Sequence, residues 1–206
     1  MPKLAAGYQK PLPLVRPTGL RSRRVQSGVE IWRIEATHPS DWTWIGFAQP
    51  RFRFDPASGS FRTRYGATRL IGAFRERYRP TGLVIPDDHV DHHLVRLTAS
   101  RSLRVLDLRT EKNLDALKVD DQISTGQHTA VWATCHRLAD TARTWWPDLD
   151  AIVYRSRTTP ETSVNYAFFA AAPFTIESWR LGSRPDILTE LILRQDFTIN
   201  WDVTPD

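Results

Sequence analysis

The run "QPRFRFDPASGSFRTRYGATRLIGAFRERY", Gln49 to Tyr78, sets a single glutamate, Glu76, after a series of arginines and a tyrosine. Arginine presents a planar fork of donors that matches phosphate, so the arginines of this run are compatible with an anionic ligand. Glu76 is either a solvated helix charge or one member of a site whose other members are the arginine and tyrosine upstream. Leu70, Phe74 and Tyr78 recur at four-residue spacing, which predicts a helix over 70–78 that Pro80 stops. Glu76 falls off that apolar face, between Arg75 and Arg77. A charge so placed is ordinarily solvated and contributes little to stability, and it is equally free to meet a cleft. Spacing alone leaves both readings open.

The elements that would hold these residues are legible from period. "FRFD" and "FRTRYGA" read as strands around a turn at Ala57 to Ser60, which puts Arg51 and Arg53 on one strand face. "VEIWRIEA" alternates as a strand with Ile31, Arg33 and Glu35 on one face. "HLVRLTA", "SLRVLDL", "DAIVYRS" and "VNYAFFAA" are further strands. "TEKNLDALKV" reads as a helix with Thr110 at its N-cap, and "DILTELILRQ" as another, followed by a strand or tail in "FTINWDV". Val131, Cys135, Leu138, Ala139 and Ala142 form the clearest helical stripe, over His128 to Arg143. Strands and helices mix without a strict repeat, so the expected class is α+β, one domain with a mixed sheet. Residues 1–27, proline-rich and basic, are expected as an extended N-terminal arm, and residues 28–206 as the domain.

Composition narrows the function classes. With 206 residues, 41% apolar, 25% charged and eight tryptophans, the chain has the makings of an ordinary globular core. A single cysteine permits no internal disulfide, and no apolar run approaches the ~20 residues of a membrane span, so a cytoplasmic location is expected. The net charge of +5 rests mostly on arginine and suits phosphates of a nucleotide or a nucleic acid. No GxGxxG or GxxxxGK[ST] loop is present, so a nucleotide must be held another way. "DDHVDHH", Asp87 to His93, lacks the spacing of a zinc site and reads as a charge-balanced loop; no metal is expected. Ser58 lies in a turn, "ASGS", and not in a nucleophile elbow. Without a helix-turn-helix or RNP signature, direct nucleic-acid function is not expected. Trp42 with Trp44, and the tail after Trp179, fit partner surfaces and core packing equally well.

At these motifs the sequence resembles the RES-domain family, named for an arginine, a glutamate and a serine. The resemblance runs through "IWRI", "RFDP" at Arg53 to Pro56, "RYGATRLIGAFRE" at Arg64 to Glu76, "LRVLDL" at Leu103 to Leu108, and "LDAIVYRSR" followed by "NYAFF". On it, Arg53, Glu76 and Ser156 are the three naming residues and Tyr65 the strand tyrosine between the first two. Ala151 stands where the family usually has glycine, Arg155 replaces a proline often seen before the serine, and Arg51 is an alternative to Arg53.

The resemblance implies a fold similar to ADP-ribosyltransferases and an activity on NAD as substrate, in toxins paired with an Xre-type helix-turn-helix antitoxin. Such proteins cleave NAD by glycohydrolysis or phosphorolysis; some relatives transfer an ADP-ribosyl group to a protein, and a non-catalytic nucleotide- or partner-binding module is the other alternative. The implied roles are Glu76 on the ribose and its developing positive charge, Arg53 on phosphate, Tyr65 on the nicotinamide ring or ribose, Ser156 on a phosphate or on Glu76, and Arg157 as a second phosphate contact. Phe168 and Phe169 are expected in the core, and Asn165 as a structural residue.

Overall fold

The computed structural model describes residues 4–159, 162–201 and 203. Among them the chain forms β1 (Ser22–Val25), β2 (Glu30–Glu35), β3 (Arg64–Ala67), α1 (Leu70–Tyr78), β4 (Val84–Ile85), β5 (His93–Ala99), β6 (Leu103–Asp107), α2 (Glu111–Leu117), α3 (Gln122–Thr125), α4 (Thr129–Trp145), β7 (Ala151–Arg155), β8 (Val164–Phe168), β9 (Phe174–Arg180), α5 (Pro185–Gln195) and β10 (Thr198–Ile199). Eight strands make one sheet in the order β1-β6-β7-β8-β3-β2-β5-β9, and β4 with β10 makes a small parallel pair. Only β6 and β7 run parallel within the large sheet, and α2, α3 and α4 supply the long crossover that a parallel pair needs. The result is a single α+β domain with a mixed sheet, as the sequence predicts.

Both faces of the sheet are covered, which explains why its central strands are apolar almost without interruption. Leu106, Ile152 and Ala167 pack toward α4, whose stripe of Val131, Cys135, Leu138, Ala139 and Ala142 is buried there. Their neighbours Val105, Val153 and Phe168 point to the opposite face, among Ile31, Leu97 and Trp42. A third cluster joins Phe74 and Tyr78 of α1 to Leu188 and Leu191 of α5 and to Phe197. Trp42 therefore belongs to the core.

Two local readings change, and one strand is added where the sequence predicts none. "FRFD" is a turn and not a strand, because the Asp55 carboxylate accepts the N–H groups of Arg51 and Phe52 and folds the chain back on itself. The N-terminal lead-in lies on the domain: β1 pairs antiparallel with β6, and Tyr8 and Leu20 are buried beside α2 and α4. Residues 174–180, which carry no clean alternation, form the edge strand β9 along the whole length of β5. Among the described residues no helix is long and apolar enough to cross a membrane.

Candidate active site

Strands β2 and β3 meet through one registered pair, Trp32 with Ala67, and a cleft of about 1090 Å³ lies along this seam. Its walls come from β2, β3, the 47–55 loop, α1 and the C-terminal end of β7. Eight arginines line it, at 33, 51, 53, 62, 64, 77, 155 and 157, against three acids, Glu35, Asp55 and Glu76. Such an excess focuses positive potential in a recess with low-dielectric walls, which favours anionic ligands.

Glu76 reaches the cleft because α1 buries its opposite face. Phe74 and Tyr78 fix the helix against α5, leaving Glu76 exposed on the other side. Gly72 lets the helix approach closely: a Cβ there would stand 2.3 Å from the Ser163 hydroxyl. The carboxylate Oε1 of Glu76 accepts three hydrogen bonds, from Ser156 Oγ at 2.8 Å, Thr158 Oγ1 at 3.0 Å and Asn165 Nδ2 at 3.0 Å. All three donors are neutral, so they orient the carboxylate without cancelling its charge. Ser156 is itself buried and fixed, its oxygen accepting the Thr158 and Thr159 N–H groups. The phenol of Tyr154, on the same wall, is pushed above its ordinary pKa by burial and by the charge of Glu76.

The other predicted residues line the same cleft but are held differently. Tyr65 donates its hydroxyl to Asp55 at 2.9 Å and accepts the Phe54 N–H at 2.9 Å. Burial first, and Asp55 second, hold that phenol well above its usual pKa, so it stays protonated. Arg53 is buried, and its guanidinium donates to the carbonyls of Ile123 at 3.2 Å and Gly126 at 2.9 Å while lying over Trp132. Arg51, Arg77 and Arg157 are exposed in the cleft. Ser156 and Glu76 are thus joined directly, whereas Arg53 and Tyr65 are built into the wall.

The structure adds residues that sequence reading passed over. Asn165, read as structural, contacts Glu76 directly. Thr158 does the same, and no local pattern marks it. Arg33 and Arg64 both donate to Glu35, closing the β2–β3 seam, and both guanidinium groups lie over Trp42. Burial lowers the pKa of Arg33 to about 10 despite the opposing pull of Glu35. The shared face of Arg33 and Glu35 was visible in "WRIE", although their partner on β3 was not. Cys135 is buried, its thiol pushed up to about 12 by that burial, so it is an inert core group. Among the described residues no group of three or more His, Cys, Asp and Glu is arranged to hold a metal.

Comparison with known proteins places this geometry in context. Residues 30–187 match the family model described as RES domain. No curated protein matches the chain. Among solved structures it is similar to a chain in the crystal structure of the M. tuberculosis MbcT–MbcA toxin–antitoxin complex, at 14% identity with a TM-score of 0.55, covering 81% of this chain and 92% of that one. At that identity the likeness is one of fold.

Proposed function

This chain belongs to the RES domain family, and from that premise we propose that it is an enzyme that cleaves the bond between nicotinamide and ribose in NAD. The observation that carries the reading is the Glu76 carboxylate, aimed into an arginine-lined cleft and oriented by three neutral donors. When the glycosidic bond breaks, its electron pair leaves with nicotinamide and C1′ of the ribose acquires oxocarbenium character. A full negative charge held nearby stabilises that state more than the ground state, which is the requirement for a faster chemical step. Glu76 serves in this way, with one oxygen engaged by Ser156, Thr158 and Asn165 and the other turned to the ribose. The pyrophosphate lies against the exposed guanidinium groups of Arg51, Arg77 and Arg157, which substitute for a glycine-rich loop. Tyr65, protonated and rigidly held, offers its ring as a wall for nicotinamide or ribose. The acceptor at C1′ is water or phosphate, giving ADP-ribose or its 1-phosphate.

Unrestrained loss of NAD would poison the cell that makes the enzyme. The reading therefore extends to the toxin of a toxin–antitoxin pair, whose cytoplasmic partner, an Xre-type helix-turn-helix protein, covers the cleft. The MbcT–MbcA complex, similar in fold, supports that extension.

The test incubates purified protein with NAD, with and without phosphate, and follows nicotinamide release beside Glu76→Gln. Release by the wild type and its loss in the variant are expected. No release under either condition overturns the enzyme reading, and label ending on protein would assign ADP-ribosyl transfer instead. Growth arrest on expression, relieved by coexpressing the helix-turn-helix protein of a neighbouring reading frame, tests the pairing.

A further inference from the structure

We propose that Arg53 is a positioning residue, which sets the wall carrying Ser156 by clamping α3 and leaves the pyrophosphate to other arginines. The inference rests on the NAD-cleaving reading for its kinetic consequence, but its structural content stands independently. Arg53 retains 8% of its exposure, and its two terminal nitrogens donate to Ile123 and Gly126, carbonyls within and just after the four-residue helix α3. Carbonyls at a helix C-terminus lack partners within the helix, so a guanidinium fork across two of them fixes a turn that α3 is too short to hold itself. Trp132 backs the guanidinium from the other side, 5.3 Å from the ring centre, and the Cys135 thiol shares the Ile123 carbonyl at 3.4 Å. A group engaged on this many sides has little left to offer a ligand.

The clamped turn reaches Glu76 through two short links. The hydroxyl of Ser124, in α3 and buried, accepts the Arg155 N–H at 3.4 Å, and Asp121, immediately before α3, pairs with Arg155 Nε at 3.2 Å. Arg155 immediately precedes Ser156, whose hydroxyl donates to Glu76. The fork on α3 therefore sets the end of β7 and, with it, one of the three donors on the catalytic carboxylate. This also explains why an arginine buried in a turn lines the cleft at all: its charge stabilises the wall from behind, while Arg51, two residues earlier, is exposed in front of it.

Arg53→Lys keeps a charge but cannot span both carbonyls, and it separates positioning from anchoring. With NAD, the expected result is a kcat about 10- to 100-fold lower with KM within about threefold of wild type, because a misplaced group loses transition-state interactions. Amide hydrogen exchange should quicken in residues 122–127 and, with them, in 153–159. A KM raised about tenfold or more with kcat retained assigns Arg53 to pyrophosphate and overturns the proposal. Quickened exchange confined to 122–127 overturns it as well. Asp121→Ala removes only the Arg155 link, at an exposed carboxylate that threatens folding little, and should lower kcat in the same direction without raising KM; an unchanged kcat there counts against the proposal. If the wild type releases no nicotinamide, the enzyme reading fails, and the paired exchange response by itself decides whether Arg53 positions the wall.

Discussion

Glu35 and Glu76 line one cleft, yet two guanidinium groups hold the first and two hydroxyls with an amide hold the second. Both are acidic residues among arginines, and their partners separate their uses. Arg33 and Arg64 neutralise Glu35 and tie β2 to β3, and the stacked face of Trp42 shields the group from water. Its charge is committed to the seam. Ser156, Thr158 and Asn165 fix the direction of Glu76 without an opposite charge beside it, as the proposed reaction requires. The collar of neutral donors is what fits Glu76 to the proposed catalytic role, and the arginine pair is what fits Glu35 to the seam.

The comparison can be broken most sharply at Glu76. Glu76→Gln keeps the size and the collar but removes the charge, and NAD cleavage should fall about 1000-fold, or ~4 kcal/mol in the barrier, with the unfolding midpoint near wild type. Comparable turnover by the variant would end the distinction between the two carboxylates. Glu35→Gln should do the reverse, leaving two largely buried guanidinium groups without their counter-charge and costing about 3 kcal/mol of stability in urea unfolding. If that variant instead unfolds like wild type, the seam does not depend on the pair.

Removing one donor from the collar is a smaller perturbation. Thr158→Val should lower kcat about tenfold while KM moves little, since a single hydrogen bond to a charged group is lost and two remain. A rise in KM alone would place Thr158 in substrate binding. The smallest effect is that of acid. Burial lowers the imidazole pKa of His89, and Arg77 adds to it; burial, His89 and Arg77 lower that of His92, with Asp88 opposing in both cases. The unfolded chain therefore binds protons first, so stability is intact above about pH 6.5 and declines as pH falls through the depressed values. His89 bonds the Tyr78 hydroxyl at 3.0 Å at the end of α1, and His92 stacks on His89. Protection against amide exchange, taken relative to the intrinsic rate at each pH, should therefore fall between pH 7.5 and 5.5 in α1, which carries Glu76, before β2, which carries Glu35. Equal change in both would remove this asymmetry between the two ends.

Much of this arrangement was legible in the chain, for identifiable reasons. The helix over 70–78 and the stripe of α4 follow from apolar spacing, which reports the buried face directly. Glu76 was readable as a residue turned away from that face, and the family resemblance left Ser156 either on a phosphate or on Glu76. The turn at "RFDP" was not legible as a turn, because Asp55 does its work through backbone N–H groups and the distant Tyr65 hydroxyl. Nor was β9, an edge strand whose half-buried pattern lacks the alternation that marks a strand with one dry face.

The α+β class, the helix that presents Glu76 and the overall arginine excess were set in the chain, since these depend on composition and on neighbours within one or two turns. Tertiary structure alone decided what each charge does. The three donors on Glu76 lie 80, 82 and 89 residues away along the chain, and the carbonyls that claim Arg53 lie 70 and 73 away. Hydrogen bonds act over about 3 Å, and no local period encodes which distant groups the sheet will bring to that distance. Glu76 and Glu35 look alike in the chain, and they differ because the sheet seats one beside arginines and the other beside hydroxyls.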